Sequence, residues 1–79
     1  MSENNEKYQK CFMEAFPVQK QDLEGLKYQD IPEWDSIGHM NLVAALEDEF
    51  GIEMEIDDIT DISDFRKGKE VLSRYEISI

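Results

Sequence analysis

From Tyr8 to Phe16 the apolar residues Tyr8, Cys11, Phe12, Ala15 and Phe16 recur at helical spacing, with Glu, Lys and Gln between them. This pattern predicts an amphipathic helix that ends at Pro17. The next stretch, Val18 to Trp34, has no period and is broken at Gly25 and Pro32. Leu23, Leu26, Tyr28 and Ile31 recur there as anchors, which predicts a long loop laid over the core. A loop of that length without structure of its own is unusual and tends to carry function. Periodicity returns at Trp34. Asp35 or Ser36 can cap a second helix that runs to Phe50 and stops at Gly51. Gly51 to Glu55 reads as a link, and Asp57 and Asp58 open a short helical turn containing Ile59 and Ile62. Ser63 can cap a last helix with Phe65, Val71, Leu72 and Tyr75 inward. Gly68 falls on the same inward face, where it either weakens the helix or permits close packing. There are no repeats and no low-complexity tract. Residues 1–79 therefore read as a single all-α domain, a small four-helix bundle with three main helices and one short one.

The second helix carries two stripes. At about 100° per residue, Leu42, Val43, Leu46 and Phe50 gather on one side as the core stripe. Ile37, Met40 and Ala44 gather on a neighbouring side, flanked by Asn41, Glu47 and Asp48. Two readings fit this second strip. Exposed, it is a transient docking site in which carboxylates steer encounter and a few apolar contacts set the register. Alternatively, it is buried under the long loop.

Charge sharpens the picture. The chain has 79 residues and a net charge of −11. Tyr28 to Phe65 contains twelve acids and no Lys or Arg, while the remainder holds eight basic and seven acidic residues. Phosphate backbones would be repelled by such a surface, which argues against nucleic acid as a partner. The acids serve either as a solubilising surface or as a docking face for basic partners. With one cysteine, Cys11, the chain forms no internal disulfide and no Cys-based zinc cluster. The opening MSENNEKYQK lacks an apolar segment, and the longest apolar run, Leu42 to Leu46, is far too short to cross a membrane. A cytoplasmic monomer that neither spans nor needs a membrane is expected. So small a chain has little room for a complete catalytic constellation, so it is expected not to be an enzyme.

Ser36 is the candidate for chemistry. A phosphate ester at the start of a helix meets unpaired backbone N–H groups and the positive end of the dipole. An unmodified serine also commonly stands there as a cap. The tripeptide Asp35-Ser36-Ile37 is by itself weak evidence, because short motifs of this kind arise by chance. Its surroundings add to it: an acidic all-helical domain, a long first loop, and Trp34-Asp35-Ser36-Ile37-Gly38-His39-Met40 opening the second helix. Together these features resemble the acyl carrier protein family. In that family the serine of an Asp-Ser-Leu/Ile/Met motif accepts 4′-phosphopantetheine from coenzyme A, and Asp35, Ser36 and Ile37 match the motif. The run from Ala44 through ALEDEFGI to Ile52 looks like the way the family's second helix ends. The resemblance covers nearly the whole chain in layout and is most specific from Ile31 to Ile56. Fatty-acid-synthesis carriers usually place acids soon after the serine, where this chain has Gly38 and Asn41. Its wording is more similar to discrete carriers of surface-glycan, polyketide or nonribosomal systems. The resemblance implies a bundle of acyl-carrier-protein type and acyl or aminoacyl thioesters carried on an arm at Ser36. It also implies a phosphopantetheinyl transferase and acyl-loading, synthase or transferase enzymes as partners. Ile37, Met40, Asn41, Ala44, Glu47 and Asp48 would form the docking face.

Other chemistries fit less well. His39 lies three residues after Ser36, but the third group, the oxyanion donors and the strained nucleophile turn of a Ser–His hydrolase are missing. By helical angle His39 falls at the mouth of the core as a partly buried polar residue. A calcium loop opening at Asp57 would need Gly and Glu where the chain has Ile62 and Gly68. Cys11 reads as a small buried hydrophobe, and Trp34 as packed against the loop. The competing function from a different class is an unmodified acidic helical adaptor that binds a basic partner protein.

Overall fold

The computed structural model describes residues 3–79; Met1 and Ser2, part of the polar opening segment, lie outside the described residues. Four α-helices are present: α1 (Glu3–Ala15), α2 (Ser36–Phe50), α3 (Ile56–Asp61) and α4 (Phe65–Ser73). No strand occurs among the described residues, and the all-α bundle of three longer helices and one short one is as expected.

The core is built around five buried rings, Tyr8, Phe12, Phe16, Trp34 and Phe65. Tyr8, Cys11 and Phe12 of α1, with Phe16 just beyond it, are 2% exposed or less. Leu42, Val43 and Leu46 of α2 meet them, and Phe65, Val71 and Leu72 of α4 close the third side. Phe12 stands edge-on to Phe65 at 4.9 Å and to Trp34 at 5.6 Å between ring centroids. Such pairs add direction to what apolar burial alone supplies. Tyr8 reaches through this core and donates its hydroxyl proton to the Phe65 carbonyl at 2.6 Å, joining α1 to the start of α4. Burial, reinforced by the Asp64 carboxylate, pushes the Tyr8 phenol far above its ordinary value, so it remains a donor. Gly68 is buried against this ring, and a Cβ there would lie 2.1 Å from the Tyr8 hydroxyl. Close packing is the reason for that glycine.

The long connection between α1 and α2 is more structured than its sequence suggests. It forms one 3-10 turn at Lys20–Asp22 and is then pinned by backbone bonds. Tyr28 N–H donates to Ser63 O at 2.9 Å, and Phe65 N–H donates to Leu26 O at 2.9 Å, making a small antiparallel bridge between Lys27 and Asp64. Leu23 and Leu26 are buried as anchors, Ile31 is half-buried and Tyr28 is exposed. Tyr28 instead turns its ring edge-on to Trp34. Trp34 is fully buried, stacked on Phe16 at 5.1 Å. It therefore packs into the aromatic core, well beyond the expected contact with the loop.

Helix ends differ in detail from the sequence expectation. Asp64, and not Ser63, caps α4 by accepting the Lys67 N–H at 2.6 Å. A carboxylate is the stronger acceptor facing the helix dipole. Tyr75 lies past the end of α4 and is half-buried, as is Phe50 at the end of the α2 core stripe. Gly51 closes α2 with φ 64°. No helix among the described residues is long and apolar enough to cross a membrane.

Candidate functional site

Helix α2 begins where the long loop delivers it, and one glycine sets how closely. Gly38 is buried against the loop backbone, and a Cβ there would come within 1.8 Å of the Glu33 carbonyl oxygen. Only a residue without a side chain lets the Pro32–Glu33 turn lie directly on the first turn of α2. Trp34 N–H donates to Ile31 O at 3.1 Å and Gln29 N–H donates to Trp34 O at 3.0 Å, closing the turn. The chain therefore enters α2 on a fixed path.

Asp35 is the N-cap. Its backbone is extended and its carboxylate accepts the Gly38 N–H at 2.8 Å. Ser36 is the first residue of the helix, exposed, and its hydroxyl makes no hydrogen bond to any other described residue. The sequence left capping open between these two neighbours, and the structure assigns it to Asp35. The Ser36 side chain is thus left free beside the first N–H groups of the helix, which have no intrahelical acceptors.

His39 is held from both sides. Its Nδ1 accepts the indole N–H of Trp34 at 3.0 Å, and its Nε2 lies 2.8 Å from the carbonyl oxygen of Ile59. An indole N–H only donates and a carbonyl only accepts, so the proton belongs on Nε2. The ring lies nearly parallel to Trp34 and edge-on to Tyr28. It clamps the loop, α2 and α3 together, and neither nitrogen is available to activate Ser36.

A shallow, largely apolar groove of about 400 Å³ runs beside Ser36. Ser36, His39 and Met40 of α2 form one wall, Ile59 and Thr60 of α3 another, and Tyr28, Ile62 and Ser63 complete it. Sequence reasoning missed this groove. Its walls come from three separated segments, which the bridge between Lys27 and Asp64 and the His39 clamp help bring together.

The second strip of α2 lies open. Ile37 is 73% exposed and Met40 is 51% exposed, and Asn41, Ala44 and Asp48 are exposed with them. The alternative of a strip buried under the loop is thereby excluded. Glu47 differs from its neighbours. It is half-buried, and its carboxylate accepts the Met54 N–H at 2.8 Å, fastening the link after α2. Ile56, at the start of α3, is 79% exposed and has no periodic partner in sequence that would have marked it.

The α3 helix has six residues, too few to be stable alone. Tyr75 and Arg74 hold it from the other side. The Tyr75 hydroxyl accepts the Glu55 N–H at 2.9 Å and donates to Asp58 at 2.5 Å. Arg74 bonds both Asp58 and Asp61, at 2.6 and 2.9 Å. The Tyr75 and Arg74 hydrogen bonds hold the Asp58 carboxyl below its ordinary value. Cys11 lies far from this end of the site in sequence and is buried, with its thiol pushed up to about 11 by burial and by Glu49 and Glu14. Comparison with protein-family models, curated proteins and solved structures found no match to this chain.

Proposed function

We propose that the protein is a carrier, with Ser36 as the attachment point of a 4′-phosphopantetheine arm. One observation carries the reading: the Ser36 hydroxyl is exposed and unbonded because Asp35 beside it caps the helix. A phosphodiester formed there would stand against the free N–H groups and the positive end of α2. The residues present fit such a group, since no wall of the site closes over the hydroxyl and an apolar groove opens next to it. When bound, the arm would supply a terminal thiol on which acyl groups ride as thioesters, a tether that raises their effective concentration at partner enzymes.

The chain itself presents and recognises. Gly38 and the His39 clamp hold the start of α2 rigid, so Ser36 is offered at a constant position. Ile37, Met40 and Ala44, edged by Asn41 and the exposed Asp48 carboxylate, offer a small apolar face on an acidic chain, which suits partners with basic surfaces. His39 supports this non-catalytic reading, because both its nitrogens are spent on structure.

Incubation with coenzyme A and a panel of phosphopantetheinyl transferases should add the mass of one phosphopantetheine. Ser36→Ala should remove that gain while leaving stability within about 0.5 kcal/mol, as for other exposed positions. An unchanged mass with every transferase would return the chain to the class of unmodified acidic adaptors.

A further inference from the structure

We infer that the carried group stays outside the bundle, so that the cargo is a short acyl group and the core is not a sheath for a long one. This inference rests on the carrier reading of Ser36 and concerns the substrate class of that same site.

The route from Ser36 to the interior passes between α2 and α3, and the His39 clamp stands across it. His39 bonds Trp34 on the core side and the Ile59 carbonyl on the α3 side. Parting the two helices would break the bond to Ile59 and leave the His39 Nε2–H and the Ile59 carbonyl without partners in part-buried surroundings. Behind the clamp the space is already filled. Trp34 is fully buried against Phe16 and Phe12, and Leu42 and Leu46 of the same core are fully buried with it. Rings packed this closely have no smaller arrangement to collapse into, so a chain entering the core would have to displace one of them.

What remains is the groove on the outer side of His39, about 400 Å³ in volume. That is at the small end of the range for ligand sites, and the arm itself would occupy part of it. The groove is apolar but shallow and open to water, so it covers only a short stretch of hydrocarbon and added length stays exposed. A short acyl group loses little by staying in it.

The test attaches arms bearing acyl groups of two, four, eight and twelve carbons to Ser36 with a transferase that accepts acyl-coenzyme A. Mass confirms each product. The melting temperature, the Trp34 indole N–H resonance and the rate of thioester cleavage by hydroxylamine are then followed. The expected result is one melting temperature, one indole position and one cleavage rate for all four lengths. Burial in the core would instead raise the melting temperature by several degrees for each added pair of carbons. Such a rise, with a moved indole resonance and slowed cleavage at eight and twelve carbons, overturns the inference. In His39→Ala, which unlatches the wall, dependence on length should appear. If that variant does not fold, the wild-type series decides alone. Failure of Ser36 to take up any arm is seen by mass before any melt, and it overturns the carrier reading together with this inference.

Discussion

Asp35 and Ser36 divide two tasks that a single residue performs at many helix starts. The carboxylate satisfies the Gly38 N–H, which leaves the hydroxyl to face solvent. Gly38 is the residue on which this arrangement turns. Alanine there would drive a methyl into the Glu33 carbonyl, so Gly38→Ala should cost about 2 kcal/mol or more in chemical denaturation. It should also slow modification of Ser36, because the loop and the helix start must separate. Cys11 is the opposite kind of residue, close-packed and uninvolved. Its thiol, pushed up to about 11 and 1% exposed, should react with a disulfide reagent at pH 8 only as fast as the protein unfolds. A thiol on an arm at Ser36 should react at once, so the fast phase counts loaded molecules.

At the scale of elements, the short helix α3 depends on others for its existence. Tyr75 and Arg74 grip one side through Asp58 and Asp61, and His39 grips the other through Ile59. The sign of the pH effect follows from Asp58. Its carboxyl is held below the ordinary value, so its contribution is complete above that value and is lost as pH falls through the folded one. The stability gap between wild type and Asp58→Asn should therefore be widest near neutral pH and close under acid, as equilibrium unfolding at several pH values would show. Relief of the repulsion from a net charge of −11 acts in the other direction in both proteins and cancels in the comparison. The same bonds keep the groove beside Ser36 in shape, since Ile59 and Thr60 form part of its wall.

At the scale of the whole molecule, charge is segregated. Among the described residues, Asp58 and Asp61 are the acids of the Tyr28–Phe65 stretch that meet a cation within ion-pair distance, and Arg74 supplies it. Asp48, the exposed acid of α2, is left to act outward. Glu47 and Asp48, adjacent in sequence, should separate on mutation. Glu47→Lys loses the bond to Met54 N–H and should cost about 1 kcal/mol of stability. Asp48→Lys should leave stability unchanged and raise the apparent Michaelis constant of a transferase, with the difference shrinking as salt is added. Equal constants at low salt would remove Asp48 from the docking face.

Much of this was legible along the chain, for a definite reason. Helix periods, the α2 core stripe and the candidate serine depend on spacing of a few residues, and local spacing survives folding unchanged. The two exposed ends of the strip, Ile37 and Met40, could be named but not placed, because a helical wheel has no knowledge of where a loop lies. Asp64 in place of Ser63 and the diverted Glu47 side chain rest on bonds three and seven residues long that apolar spacing does not mark, while the structured first loop was settled by neighbours distant in sequence. So was the bond of His39 to Ile59. The position of His39 at the mouth of the core follows from helical angle, but its partner Ile59 meets it only when α3 closes on α2. Directional bonds between remote segments have no signature in local pattern. The order of helices and the candidacy of the Ser36 hydroxyl were therefore determined by the sequence alone; the capping that frees Ser36 is a local bond the sequence left open between two neighbours, and the groove beside it and the wall behind it were decided by tertiary contacts.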